Sequence, residues 1–422
     1  MSRKLVAIMI LLILVPLLVY VAWLYVRFTP NETPPSGGPV CNLNTGLNYT
    51  TIQAGIDAKE TLDGHTIFVK KGVYREHVVA NKSVSLIGEN RTTTVIDGNG
   101  TGTDIHVTAD RVVVEGFTVR NGSMGIYLYN TNSSLVVGND VVFNDDAILV
   151  YYSSDFMVYQ NVAGNNSGRG ILVSNSRNFT VSNNLVYGNG MYGLNTNSSA
   201  NGLIKQNDAH ENSYDGIGLF DSSNCTIIEN DVKDNPSFGI MVDSSGDSLI
   251  FHNNVVNNTF QASDVNLSNR WDDGVEGNYW SDYGGVDSNH DGIGDSAQII
   301  YRSIQDNRPL MGIFYSFNTS IGYHVNAVSN STVGEFVFFE TNSTLEISVS
   351  NSSATQSFGF CRVGIPKALI SPPYKVVIDG GLALVLYFNG TTYDDGAYRW
   401  IYFAYQSSTH KVDVSPEGVT QG

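Results

Sequence analysis

Gly170-Ile-Leu-Val-Ser-Asn-Ser-Arg-Asn-Phe-Thr-Val-Ser-Asn-Asn184-Leu-Val-Tyr-Gly-Asn189 is one copy of a unit that occurs six times. The copies start at Gly125, Ala147, Gly170, Gly193, Gly216 and Gly239, 22 or 23 residues apart. An aliphatic residue follows each start: Ile126, Ile148, Ile171, Leu194, Ile217 and Ile240. One asparagine column lies fourteen residues in, at Asn139, Asn161, Asn184, Asn207, Asn230 and Asn253. A second lies nineteen in, at Asn144, Asn166, Asn189, Asn212, Asn235 and Asn258. Between them run Val141, Ala163, Val186, Ala209, Val232 and Val255. Strands this short bury nothing alone, but stacked as coils of a solenoid they merge every aliphatic column into one core. A propeller would need about 40 or more residues per blade, and a leucine-rich repeat its leucine comb. The pattern predicts a parallel β-helix. The asparagines are expected to take left-handed backbone at the corners and to bond to the asparagine one rung away.

Looser coils precede the repeat at Ser83–Gly88, Thr94–Gly98 and Val112–Asn121. Tyr49–Ala58 carries apolar residues at 3–4 spacing and predicts a short amphipathic helix capping the first coil. After residue 311, alternating segments such as Leu345–Val349 and Trp400–Ala404, parted by Gly, Asn and Pro turns, predict a small β-sandwich over 312–422. The β-helix is expected over 49–311, with a closing segment rich in Trp, Asp and Gly at 270–311.

Composition narrows the function. The chain has 422 residues and a formal charge of −17. That surplus of acid excludes nucleic acid or anionic lipid as the main partner, since both need a basic face. With 23 Tyr and 19 Phe it is not a disordered chain. Three distant cysteines, Cys41, Cys225 and Cys361, read as isolated structural thiols, with a Cys225–Cys361 bridge as the alternative. Leu5 to Val26 carries no charge, with Arg3 and Lys4 before it and Arg27 after. About 20 apolar residues span a bilayer core of about 30 Å. No small-x-small cleavage site follows, so 1–28 is read as an N-terminal transmembrane anchor and 29–48 as a Pro/Gly linker; a cleaved signal is the alternative. Either way the bulk of the chain is extracytoplasmic, and its many N-x-[ST] triplets, Asn48, Asn132, Asn178 and Asn266 among them, suit a glycoprotein.

The stretches "TIQAGIDA" from Thr51, "GHTIFVKKGVYREHV" from Gly64, "SVSLIGE", "TVIDGNG" and "VVVEGFTVRNG" resemble the opening of NosD-like β-helix proteins. The asparagine repeats, "WDDGVEGNYWSDYGGVDSNHDGIGD" at Trp271–Asp295 and "DNRPLM" at Asp306–Met311 continue the resemblance. The tail around "GFCRVGIPKALI" and "YKVVIDG" is similar to the small β-sandwich that follows such helices in archaeal surface proteins. The resemblance implies an all-β fold with a right-handed, single-stranded parallel β-helix on the export side. It implies no one reaction: the family is named for copper-site maturation, while many relatives are described only as carbohydrate-binding or sugar-hydrolysing.

Three sets of residues carry candidate chemistry. Asp287, Asn289, Asp291 and Asp295, with Gly292 in sixth place and the Ile293 carbonyl in seventh, match the front of a calcium loop, whose alternate residues converge oxygens on one point. Gln298 replaces the closing bidentate Glu. Calcium is therefore the expected cofactor, with no organic one. Asp208 and Asp231 occupy equivalent places on neighbouring coils, about 4.8 Å apart in the stacking direction. His210 and Lys233 face the same way, with Tyr187 one coil earlier, a patch that would suit glycosidic hydrolysis or elimination. A polar column, Gln160, Asn183, Gln206, Glu229 and His252, would meet sugar hydroxyls, and Tyr129, Tyr151 and Phe220 would stack on sugar rings. Clustered soft or imidazole copper ligands are not evident. The sequence thus points to an anchored surface β-helix that binds polysaccharide or is structural. A polysaccharide lyase or glycoside hydrolase is the first alternative, and a copper-handling accessory protein the second.

Overall fold

Each repeat makes one coil of three short strands, as in Ile171–Ser174, Arg177–Ser182 and Leu185–Tyr187. The computed structural model describes residues 37–265, 268–387, 393–394 and 396–417. Equivalent strands of successive coils pair in register, giving sheet A with 11 strands, sheet B with 10 and sheet C with 9. Within a coil the chain passes from C to A to B. Alternation turns Ile171, Val173, Val181 and Val186 inward, where they are fully buried. Their equivalents in the other coils make one apolar cluster reaching from Val40 to Trp280.

Coil stacking satisfies strand backbone, but each corner leaves polar groups inside. The asparagine columns answer that need. Asn184 Nδ2 donates to Asn207 Oδ1 at 2.9 Å and to Val158 O at 2.9 Å, while Asn184 N–H donates to the same Asn207 Oδ1 at 3.0 Å. The second column repeats this, with Asn189 Nδ2 donating to Asn212 Oδ1 at 2.9 Å. One expectation is corrected: the ladder asparagines are not the left-handed residues. The positive φ falls one place earlier, at Gln160 (55°), Asn183 (55°), Gln206 (55°), Glu229 (56°) and His252 (58°). The corner is turned by the residue before, which leaves the asparagine to point its amide inward along the stack. Most copies start on glycine because the site is crowded: a Cβ at Gly216 would lie 2.5 Å from Val232 Cγ1 and 2.6 Å from Asn235 Nδ2, although Ala147 is accommodated at the equivalent place.

A third ladder of hydroxyls lines the corner between sheets C and A. Ser153, Ser176, Ser199 and Ser222 each donate a backbone N–H to the Oγ of the next serine, at 2.9–3.2 Å. It went unread in the sequence, although the spacing is the same.

The first coil is capped as expected, by helix Ile52–Asp57, shorter than the ten residues predicted. Thr51 Oγ1 accepts the Ala54 N–H, and the Glu76 carboxylate accepts those of Ile52 and Gln53, both at 3.0 Å. The linker boundary is corrected. Strand Val40–Asn42 pairs antiparallel with Thr66–Val69 at the end of sheet A and is wholly buried, so the folded unit begins inside the stretch read as linker.

The second ladder ends at Gly122, whose N–H donates to Asn144 Oδ1 at 2.9 Å. In the space beyond sits the Asp104 carboxyl, fully buried and with neither oxygen hydrogen-bonded. Burial first, and then the Asp97 charge, push it up to about 8. The unfolded chain releases this proton near the ordinary carboxylate value, whereas the folded protein keeps it. Asp104 therefore favours the fold fully in acid, and that contribution declines as pH rises from about 4 to about 8. Melting curves across that window should show a steeper loss for the natural chain than for Asp104→Asn; parallel curves would refute the protonated carboxyl.

Beyond the solenoid, two five-stranded antiparallel sheets share one apolar cluster that includes Val325, Ile347, Val363, Ile401 and Val412. They lean on the last coils. Asn254 exchanges two hydrogen bonds with the Phe314 backbone, at 2.9 and 2.8 Å. His252 stacks on Phe314 with ring centroids 4.0 Å apart. Arg362 Nε donates to Glu276 Oε1 at 2.8 Å, both side chains fully buried, and Glu276 Oε2 meets His252 Nε2 at 3.0 Å. All three cysteines are buried free thiols, so the alternative Cys225–Cys361 bridge does not form. Among the described residues no helix is long and apolar enough to cross a membrane. The anchor read at 1–28 lies outside the described residues, as does the Asn266 sequon.

Candidate functional site

The sequence-read residues fall on three different faces. On sheet B, Asp208 pairs in register with Asp231, and His210 with Lys233. Asp208 is already engaged: His210 Nδ1 lies 2.9 Å from one oxygen and Lys233 Nζ 3.0 Å from the other. Tyr187 stacks on His210 at 5.6 Å. Asp231 accepts Asn254 Nδ2 at 2.7 Å. Desolvation raises its pKa, against the pull of Asn254 and Lys233, although the side chain keeps an exposed edge. The patch is an ion-paired surface network, tied through Asn254 to the C-terminal sheets.

The polar column Gln160, Asn183, Gln206, Glu229 and His252 lies on the corner between sheets A and B. Gln160 and Asn183 are exposed. Gln206 Nε2 donates to Glu229 Oε2 at 2.9 Å, Lys205 pairs with that carboxylate at 3.4 Å, and His252 is buried beneath Phe314. Three of the five, Gln206, Glu229 and His252, are thus bonded to neighbouring side chains, and the structure does not bring the column together with the aromatic residues.

Those aromatics converge on the outer face of sheet C. One column there reads Tyr129, Tyr151, Ser174, Asn197, Phe220 and Asp243; the column beside it reads His106, Tyr127, Leu149, Leu172, Asn195 and Gly218. Tyr127 stacks on His106 at 5.0 Å and meets Tyr151 edge-on at 5.8 Å; Tyr129 meets Tyr152 at 5.7 Å. Tyr192 meets Phe220 at 5.5 Å. A Cβ at Gly218 would lie 2.6 Å from the Phe220 ring, which therefore lies back over this bare position. Between Tyr151, Tyr192 and Phe220 opens a groove of about 320 Å³. Arg169 lines it, with its Nη1 3.3 Å from Asp146 Oδ2. Asn195 lines it too, and its Oδ1 is buried without a hydrogen-bond partner. Buried carbonyl oxygens are rarely left so. Tyr127, Tyr152, Tyr192, Arg169 and Asn195 were missed in the sequence. Stepping back two from each Tyr129-column residue would have found Tyr127 and Asn195.

In the loop Asp287–Asp295 each acidic side chain accepts backbone N–H groups. Asp287 takes those of Asp291 and Gly292 at 3.0 and 2.8 Å, Asp291 that of Ile293 at 2.9 Å, and Asp295 that of Ser288 at 2.9 Å. Asn289 Oδ1 also accepts the Asp291 N–H, at 3.2 Å. The C-terminal sheets reach in: Arg362 Nη1 donates to Asp291 O at 2.9 Å, and Tyr393 OH to the Asp291 carboxylate.

A family model described as "Periplasmic copper-binding protein (NosD)" matches residues 64–285, more than half of the chain. The chain belongs to the NosD family. This NosD-family chain is 34% identical over 102 residues to a cell surface glycoprotein of Methanothermus fervidus, which covers 24% of the chain and 17% of that protein. It is 29% identical over 148 residues to a probable pectinesterase/pectinesterase inhibitor 17 of Arabidopsis thaliana, 34% of the chain and 28% of that protein. It thus spans less than a third of either curated relative. Among solved structures it is similar to the mannuronan C-5 epimerase AlgE4 A-module of Azotobacter vinelandii, with 22% identity, TM-score 0.42, and 49% of this chain against 73% of that one. It is also similar to ORF18 of Geobacillus virus E2, with 11% identity, TM-score 0.47, and coverage of 86% and 72%. Likeness at this level carries nothing about chemistry. Copper, which the family description names, does not fit the groups in place. Among the described residues no three of His, Cys, Asp and Glu come together to hold a metal, and His210, His252 and His410 each face a carboxylate.

Proposed function

We propose that this NosD-family protein is an extracytoplasmic surface protein that binds saccharide on the outer face of sheet C. The observation that carries the reading is the tyrosine-rich groove with an unpartnered buried acceptor, Asn195 Oδ1. Aromatic rings present flat apolar faces to the C–H face of a pyranose, and a few placed polar groups fix its orientation. The surface location draws on the uncharged segment at 5–26, read as the membrane anchor, and on the family's description as periplasmic. Affinity electrophoresis of the full chain in gels cast with soluble polysaccharides tests it. At least one polysaccharide should retard the protein, and Tyr151→Ala should weaken that binding about tenfold, a loss of about 1.4 kcal/mol. Unretarded migration across the panel would defeat the reading. A lyase or glycosidase centre at Asp208, His210, Asp231 and Lys233 is less favoured, because His210 and Lys233 hold the carboxylate that would have to act.

A calcium ion at Asp287–Asp295 belongs to the same proposal. Three carboxylates lie within nine residues of sequence, although the structure does not gather them at one point, and desolvation, with the Asp291 charge adding to it, raises the Asp287 pKa. An ion bound to the folded state alone stabilises it by about 2.7 kcal/mol at 100 times its dissociation constant. EDTA should therefore lower the melting temperature and millimolar calcium restore it, with the response absent in Asp291→Ala. A melting temperature indifferent to both makes the loop a turn locked by Arg362 and Tyr393.

A further inference from the structure

The outer face of sheet C has a periodicity that speaks to the kind of saccharide. Its Tyr129 column offers one side chain per coil at a rise of about 4.8 Å, close to the advance of one pyranose along an extended glycan. From Tyr129 to Phe220 the column passes through aromatic, aromatic, hydroxyl, amide and aromatic groups, so stacking positions bracket a hydrogen-bonding middle. The unpartnered Asn195 Oδ1 lies beside that middle and can only accept, which calls for a hydroxyl donor.

Charge decides the rest. Among the described residues Arg169 is the one cation lining the groove, and its guanidinium is paired with Asp146 at 3.3 Å. Asp243 follows Phe220 in the same column, and Asp215 lies close enough to Tyr192 to act on its phenol. The chain as a whole carries −17. A polymer bearing a carboxylate or sulfate on each sugar would meet one already neutralised guanidinium and several carboxylates. A neutral chain loses nothing by comparison, and the Arg169–Asp146 pair offers it a donor and an acceptor side by side.

Resting on the saccharide reading above, we infer that the groove takes a neutral glycan lying along the solenoid axis, one pyranose per coil, and discriminates against polyuronates. Neutral hydroxyls donate to Asn195 Oδ1, and the sugar faces stack on Tyr151 and Phe220.

The test is calorimetric titration of the full chain with cellohexaose, mannohexaose, xylohexaose and a mannuronate hexamer, and with shorter members of any series that binds. A neutral hexamer should bind, with affinity rising up to about five sugars, the number of coils from Tyr129 to Phe220, and changing less than about twofold between 50 and 500 mM NaCl. Asn195→Ala and Phe220→Leu should each weaken it about tenfold or more while leaving the melting temperature near that of the parent. Two replacements are used so that failure of one to fold does not decide the matter. Preferred binding of the mannuronate hexamer, weakening as salt rises, would overturn the neutral assignment and leave the saccharide reading standing. Neutral binding untouched by both replacements would overturn the groove. Binding of no oligosaccharide would overturn both.

Discussion

Asn207→Ala should destabilise the solenoid by about 4 kcal/mol. The side chain accepts from Asn184 N–H and Nδ2, at 3.0 and 2.9 Å, and donates to Val181 O and Asn230 Oδ1, at 2.9 and 3.0 Å. All of these are buried, and alanine supplies none of them. Each buried polar group left unpaired costs about 1–3 kcal/mol, and water entering the gap recovers part of the loss. Against a typical domain stability of about 5–15 kcal/mol this approaches unfolding of the central coils. Asn201→Ala is the control. Asn201 also bonds rung to rung, to Asn178 at 3.0 Å and from Asn224 at 2.8 Å, but on the exposed side of its corner, where water replaces the lost partner. Its cost should stay near about 1 kcal/mol, the strain of alanine on a backbone that is left-handed there (φ 59°). Urea unfolding followed by circular dichroism compares them, and equal midpoints for the two variants would remove the ladder as a source of stability.

The second large effect is expected at the junction. Arg362→Met strips Glu276 of its guanidinium partner in a site where both side chains are wholly buried. It also removes the donor to Asp291 O and the cation stacked over Trp400 at 4.5 Å. Breaking a buried pair by removing one partner costs about 3–5 kcal/mol, mostly from the charge left behind. Neutralising that charge as well, in Arg362→Met with Glu276→Gln, should recover a substantial part. The loss should appear as protease cleavage between residues 285 and 312 before the coils themselves unfold. Simultaneous loss of both parts, or a double variant no better than the single, would contradict a junction held by this pair.

The solenoid was legible because its information is one-dimensional. A residue's surroundings are set by its own repeat and the two beside it, so a 23-residue spacing places Asn184 against Asn161 and Asn207 without further knowledge. Columns on one face followed as easily: Asp208 with Asp231, and Tyr129 with Tyr151. The left-handed corner was misplaced by one residue because spacing reports which residues stack, not which of two adjacent residues bends. The start of the fold was misplaced because strand Val40–Asn42 pairs antiparallel with a later strand and carries no repeat.

Sequence alone therefore determined the coil, its core columns and its asparagine ladders, all of them contacts between residues one repeat apart. Only the tertiary structure decided which polar residues are free to meet a ligand. Periodicity treats Gln160, Gln206 and His252 alike, yet Gln160 is exposed, Gln206 is bonded to Glu229 and His252 is buried under Phe314. For His252 the difference comes from the C-terminal sheets closing over the last coils, held by Arg362, Phe314 and Tyr393, whose partners lie 60 to 102 residues away. A contact that occurs once leaves no period in the chain, so its consequences appear only when the two surfaces meet.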